Sequence, residues 1–428
     1  MKKIIAVILA LVLVLGLAAC GTPANNTPAN NTTPANNTTP EPQAKTYNVG
    51  MVCIGDDNAA YDRNFYMAAD AAKEELAKKG INIEWQYTYN HPAGKDVADD
   101  CEKLAGDLNC VAVFLNSYGQ EDAMLPIAKD YPDTVFVGMT NEGSMRDDLD
   151  NTVNSFPSIF EARYLAGVAA GCKLNELIEN GTITADQAVI GYVGAYTFAE
   201  VVSGYTSFYL GARSVCPSAT MIVKFIGSWG DPQMEATTAQ DLIDNGAVLI
   251  SQHSDSTTPA TTAQANKIKG SDVPVPHVGY NIDMSDVAPE SSIISSRIDW
   301  TNYMVYVIEK AVKGEKVDKD YTGHGLKDGD VKLTELNDKV AAKGTAEAIK
   351  AAEDDIKSGK LQIFDITKFT VGGQTVEHAL VDMTGDFVGD EGFDAIFDGY
   401  YHESYFKSAP AFDLKIDGIT LLNTDFGD

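Results

Sequence analysis

The run TYNVGMVCIGDDNAAYDRNFYMAADAAKEELAKKGINIEWQY, Thr46 to Tyr87, decides the fold. TYNVGMVCI is an apolar, strand-forming stretch. Asp62 is placed to cap a helix in which Phe65, Ala68, Ala69, Ala72 and Leu76 recur on one face, and Gly80 closes it. INIEWQY then reads as a second strand. Strand, amphipathic helix and strand in one short run make a βαβ unit, and parallel strands of this kind need helices on both faces.

The alternation continues. A helix from about Asp96 leads to the strand CVAVFL, and the helix EDAMLPIAKD leads to DTVFVGM. A second series follows. SFPSIFEARYLAGVAAG opens with Ser158-x-x-Glu161, the pattern of a capping box, and runs as a helix to about Cys172. AVIGYVG, TMIVKFIG, AVLISQ and VPHVGYN are strands, with AEVVSGYTSFYLGARSV and a helix capped by Asp231, with Pro232 in its first position, between them. The expected fold class is therefore α/β: two doubly wound parallel-sheet lobes joined by a three-stranded hinge. The first crossover is expected near Asn151–Pro157, the second soon after Asp283, and a return near Tyr321–Leu336. Residues 46–153 plus about 286–320 then make the N-terminal lobe, and 154–285 plus about 321–345 the C-terminal lobe. Residues 346–428 form a C-terminal extension with one helix, a hairpin at Gly372-Gly373 and the aromatic stretch FDGYYHESYF, assigned to neither lobe.

What precedes Thr46 is of another kind. MKK is followed by a 16-residue apolar run ending in LAAC. That is shorter than the roughly 20 residues a spanning helix needs. Small residues before a cysteine resemble a lipoprotein signal, so residues 1–19 are expected to be a signal peptide and Cys20 to carry lipid. The Pro/Ala/Asn/Thr repeats up to residue 45 have almost nothing to bury and read as a disordered tether. The chain of 428 residues carries a formal net charge of −29, which argues against nucleic-acid binding. Cys53, Cys101, Cys110, Cys172 and Cys216 fit no metal or disulfide spacing, and the six histidines are scattered. Neither metal nor cofactor is expected.

Ligands of open parallel sheets sit beyond the carboxyl ends of the strands. After the first strand stand Asp56, Asp57, Tyr61 and Phe65, and after the third Asn116, Ser117 and Tyr118. Thr140 and Asn141 follow the fourth. The second series offers Tyr196 and Phe198, then Trp229, then His253, then Tyr280, Asn281 and Asp283; Arg297, Asp299 and Trp300 follow on the return. Rings to stack on, amides for an edge and carboxylates for hydroxyls are what a planar polar heterocycle requires. Catalysis is poorly supported: no G-x-S-x-G, phosphate-cradling loop or zinc spacing occurs.

IFEARYLAGVAAG, IGYVGAYTFAEVVSGYTSFYLGARSVCP, GSWGDPQMEATTAQDLIDNGAVLISQHSDS, VGYNIDMSDVAP and GHGLKDGDVKL together resemble the basic membrane lipoprotein family, the PnrA-like nucleoside-binding lipoproteins of ABC importers. The resemblance covers about Thr46 to Asn337. It implies the type I periplasmic-binding-protein fold, a monomer anchored on the extracytoplasmic face of the membrane, and delivery of a purine nucleoside or nucleobase to permease subunits. It places the family's first-loop aromatic on Phe65, with Tyr66 where the family has asparagine. Thr140-Asn141 stands in place of an aspartate, and the family's G-x-N strand end puts Asn281 in the site with Asp283 beside it. Arg297 or Asp299-Trp300 occupies the region of a family lysine. The competing expectations are a binding protein for another small solute, such as a sugar or signal molecule, and an extracellular hydrolase using the first-loop carboxylates.

Overall fold

The computed structural model describes residues 45–56 and 59–426; the expected signal peptide, Cys20, the expected tether and Asp57 lie outside the described residues. The first series comprises β1 (Thr46–Val52), α1 (Ala60–Lys78), β2 (Asn82–Thr88), α2 (Lys95–Glu102), β3 (Ala112–Leu115), α3 (Glu121–Ala128), β4 (Val135–Met139) and β5 (Thr152–Ser155). Its strands lie side by side in the order β2-β1-β3-β4-β5, all parallel. The apolar face read for α1 is the buried one: Phe65, Ala68, Ala69, Ala72 and Leu76 are all in the core. A fully buried side chain such as Leu76 contributes about 2 kcal/mol.

The second series comprises α4 (Ile159–Glu179), β6 (Val189–Gly194), α5 (Ala199–Val215), β7 (Thr220–Phe225), α6 (Pro232–Asp244), β8 (Leu249–His253), α7 (Thr258–Ala265), β9 (His277–Tyr280), β10 (Ser292–Ile298), α8 (Thr301–Lys313), β11 (Val331–Leu333) and α9 (Thr345–Lys357). Then come β12 (Ile396–Phe397), β13 (Tyr400–Tyr401) and β14 (Ile419–Leu421). The second sheet runs β11-β10-β9-β8-β6-β7-β14, parallel except at β11. Helices α4 and α5 pack backbone to backbone, because a Cβ on Gly167 would lie 2.0 Å from the Phe208 carbonyl oxygen. No helix among the described residues is long and apolar enough to cross a membrane.

Three local readings change. The sequence reading sends residues from about 286 to 320 to the first lobe, yet β10 joins the second sheet: β9 still has a free edge, and β10 fills it in parallel. The chain crosses only after Ile298, whose carbonyl accepts from Asn64 Nδ2 at 2.9 Å, and α8 then packs on α1. Asp62 is no cap. It lies in the first turn of α1, where its Oδ1 accepts from Gly55 N (3.2 Å) and Asn116 Nδ2 (2.8 Å). The Ser158–Glu161 capping box is not formed either, because Glu161 turns to accept from the Leu326 amide at 2.7 Å. Asp231 does cap α6, accepting from the amides of Gln233 and Met234.

Of the hinge strands, Asn154 of β5 bridges in parallel to Asp320 on the returning segment. The extension folds onto the second sheet, adding β14 beside β7. The turn at Gly372-Gly373 is present, closed by Val371 and Gln374.

Candidate functional site

The carboxyl ends of the two sheets face one another across a cleft with two connected parts. The inner part is a niche between Tyr61, Ser117, Tyr118 and Thr140 on one side and Glu200, Trp229, His253, Asp255 and Tyr280 on the other. The outer part is a chamber of about 330 Å³ that shares Tyr118, Thr140 and Glu200 with the niche. It adds Asn141 and Phe156 from the first side, Phe198, Tyr205 and Phe225 from the second, and Leu380, Asp382, Phe387 and Lys407 from the extension.

Backbone geometry aims these groups. Thr140 follows β4 at φ 63°, a region rare for a β-branched residue, and its hydroxyl donates to the Met139 carbonyl at 2.6 Å. Tyr61, in the first turn of α1, donates its hydroxyl to the Asn116 carbonyl at 2.5 Å. The loop after β8 is held by Glu235 of α6, which accepts from Ser254 Oγ at 2.7 Å and from Ser256 N at 3.2 Å. Between those two serines Asp255 is turned into the niche, and its own amide donates to the Trp229 carbonyl at 2.9 Å, which fixes the tryptophan loop. Tyr196 stacks on Phe198 with centroids 5.0 Å apart and meets Trp229 edge-on at 5.2 Å. Tyr118, 39% exposed, reaches across the cleft to Phe198 at 5.5 Å.

Two carboxyls, Glu200 and Asp255, line the niche, and a buried cation lies beneath it. Burial pushes Glu200 up to about 8, against the pull of Arg163. Asp255 is raised well above the carboxylate range by desolvation and by the like charges of Glu235, Asp62 and Glu200. Behind Tyr61, burial raises Asp62 to about 6, and the charge of Asp56 adds to it. His253 is pushed the other way, well below its ordinary value, by burial and by Arg163. The 3.2 Å contact between His253 Nε2 and Glu200 Oε1 has the spacing of an ion pair. Burial nevertheless drives both groups neutral, so it is a neutral hydrogen bond at pH 7. Arg163 lies under the niche, 3.6 Å from the centroid of the Tyr280 ring, and donates to the Gln252 carbonyl at 2.8 Å. The site thus offers neutral acids and hydroxyls that both donate and accept, beside aromatic faces. It suits a neutral, nitrogen- and oxygen-rich ring rather than an anion.

Of the residues singled out in the sequence, Tyr61, Ser117, Tyr118 and His253 meet in the niche with Trp229, and Asn141 and Phe198 line the chamber. Tyr196 backs Phe198. Asp56 stands beside Asp62 rather than on the cavity walls. Phe65 is core, with its ring between Tyr61 (5.0 Å) and Trp300 (5.3 Å), and Trp300 is only 1% exposed. Asp299 is occupied by Lys332 at 2.7 Å, Arg297 at 3.1 Å and the Thr301 amide. The strand end at β9 also differs from expectation. Tyr280 lines the niche, whereas Asn281 does not: it sits at φ 67°, and its backbone N–H donates to the Ser296 carbonyl. Asp283 is exposed and accepts from Ser285 N at 2.8 Å, closing a local turn. Glu200, Asp255 and Arg163 were not singled out. Glu200 reads as an ordinary acidic residue in a helical first turn, Arg163 as part of a helix, and only the position of Asp255 just past a strand end hints at its place.

The family model described as ABC transporter substrate-binding protein PnrA-like matches residues 49–366. A Haloferax volcanii protein carrying the name ABC transporter glucose-binding protein is 30% identical over 376 residues, 88% of each chain. A purine-binding protein of Brucella abortus is 30% identical over 320 residues, covering 74% of this chain and 82% of its own length. Among solved structures, an ABC transporter solute-binding protein from Aeropyrum pernix aligns with a TM-score of 0.58 at 16% identity, over 74% of this chain and 93% of that one. One from Conexibacter woesei aligns at 0.54 and 19%, over 74% and 98%. These two establish likeness of fold, that of type I periplasmic binding proteins.

Proposed function

Because this chain belongs to the PnrA-like family of ABC transporter substrate-binding proteins, and is thus a binding protein and not an enzyme, we propose that it captures a purine nucleoside or nucleobase between its lobes. The observation that carries this is the joining of a carboxyl-lined niche to an aromatic chamber. A nucleoside is built to match: its hydroxyls reach the mouth of the niche, about 10 Å³ here, toward Glu200, Asp255 and His253, and its flat base lies in the larger chamber on Phe198 and Tyr118. The neutral acids and the chain's charge of −29 oppose a phosphate, so the ligand is not a nucleotide. The Brucella abortus relative, named for purine binding, supports the reading.

Capture works by hinge closure over the crossover segments after β5 and β10 and at Asp320, which bring Tyr118 and Phe198 together across the cleft. The lobes are residues 46–157 with α8, and 158–298 with β11 and the extension. Lipid on Cys20 holds the protein to the extracytoplasmic face of the membrane, and the tether lets it reach permease subunits; it acts as a monomer.

A second reading, capture of a monosaccharide, is favoured by the same carboxyls, which also suit sugar hydroxyls, and by the name of the Haloferax volcanii relative. Thermal denaturation separates the two, since a ligand that binds only the native state raises the melting point. Adenosine, guanosine, inosine, adenine and guanine are tested against glucose. A rise with a purine and none with glucose is expected; a rise with glucose alone replaces the first reading by the second.

A further inference from the structure

The family match ends at residue 366, yet one wall of the chamber is built from residues beyond it: Leu380, Asp382, Phe387, Gly389 and Lys407. This extension is fastened to both sides of the cleft. On the second side β14 pairs with β7, and Thr197 N donates to the Phe426 carbonyl at 2.8 Å. On the first side Lys407, 7% exposed, pairs with Glu142 and donates to the Asp382 carbonyl at 2.6 Å. Next to it Ser408 N donates to Asp320 at 2.6 Å, and Ser408 Oγ accepts from Phe156 N at 3.0 Å.

Phe387 stands out on this wall. It is 64% exposed, and its backbone sits at φ 63°. A bulky residue rarely takes that conformation, and the cost is about 1 kcal/mol or more. The surroundings impose it: the Asp382 carboxylate accepts from the amides of Gly385 at 2.7 Å and Phe387 at 2.8 Å. The result is an exposed apolar ring held nearly parallel to Phe198, 16° between planes and 6.1 Å between centroids. A flat ring sandwiched between two others needs roughly 7 Å, twice a carbon–carbon contact distance. The centroid separation sets the upper limit of the gap and falls about 1 Å short of what such a ring requires, so the loop must shift outward to admit one.

We propose that the C-terminal extension completes the ligand site, with Phe387 stacking on the outer face of the bound purine and clamping it against Phe198. This rests on the purine reading given above. In this arrangement the two walls present in the family-matched region orient the ligand, and the extension sets how long it stays. Phe387 is a binding and specificity residue for flat rings; the unsaturated base gains more from it than a puckered sugar does.

The test uses the full chain and its Phe387→Ala and Phe387→Trp variants, with adenosine and glucose as probes, read by calorimetry and by stopped-flow dissociation. Loss of one aromatic stack should weaken adenosine binding about 3- to 10-fold, almost all of it as faster dissociation. Phe387→Trp should restore it to within about 2-fold. Adenosine binding and dissociation unchanged in Phe387→Ala would overturn the clamp while leaving the purine reading intact. A parent protein that binds glucose and not adenosine would overturn both. A Phe387→Ala loss that tryptophan fails to recover would also count against stacking, because tryptophan supplies the larger face.

Discussion

Replacing Glu200 with glutamine tests the electrostatic description of the niche. Burial raises this carboxyl from 4.5 to about 8, and its side chain is 15% exposed. Between those two values the native state keeps a proton that the unfolded chain has released. Stability therefore falls as pH rises through this window, and the loss is complete above about 8. Each pH unit within the window is worth about 1.4 kcal/mol, so by pH 7 the acid costs the fold roughly 3 kcal/mol relative to a group that never ionises. Glutamine is such a group, with the size and hydrogen-bonding capacity of the protonated acid. Asp62 titrates in parent and variant alike, and Asp255, raised mainly by desolvation, loses only the smaller push of Glu200, so their contributions largely cancel. Urea unfolding of both proteins should give nearly equal stabilities near pH 5. Near pH 7 Glu200→Gln should be the more stable by roughly 2–3 kcal/mol. A difference between the two proteins that stays constant across this range would mean that Glu200 is ionised in the native niche, and the reasoning would fail.

Asp255→Ala removes a carboxyl facing the ligand and should weaken binding roughly 5- to 150-fold by calorimetry, whereas Asp283→Ala, whose carboxylate only closes a turn with Ser285, should leave affinity unchanged. Asp320→Ala strips the acceptor from Ser408 N, Ser408 Oγ and Asn154 Nδ2, and should lower stability in urea by about 2–3 kcal/mol. Cys20→Ser should abolish incorporation of labelled fatty acid and move the protein from the membrane fraction to the soluble one.

The repeating βα pattern was legible because most strands are short, largely apolar runs and helices such as α1 carry one apolar face. Both are local properties, and so Ala199–Val215 could be bounded in the sequence as it stands in the fold. Residues following strands were legible for the same reason: the parallel-sheet rule put Tyr118, Phe198, Trp229 and His253 at one edge. What could not be read locally was sheet membership and side-chain direction. Nothing in SSIISSRI tells which of two sheets has an edge to spare, so β10 was assigned across the cleft from its true partner β9. At GYN the strand ends at Tyr280, one residue earlier than the polar pattern suggests, and the left-handed turn at Asn281 leaves Tyr280 as the residue lining the niche. Phe65 and Trp300 have the residue type of ligand-stacking groups but are satisfied by each other. The extension's return to the cleft depends on pairings such as Lys407 with Glu142, 265 positions apart in the chain, and no periodicity records those.

The central claim, that the cleft is a receptor for a purine, is tested most directly by what the protein carries. The chain is purified without added ligand from cells grown in rich medium and denatured, and the released small molecules are identified by mass. A purine nucleoside or free purine base, near one per chain, is the predicted result. A hexose in that proportion, with no purine, would contradict the account.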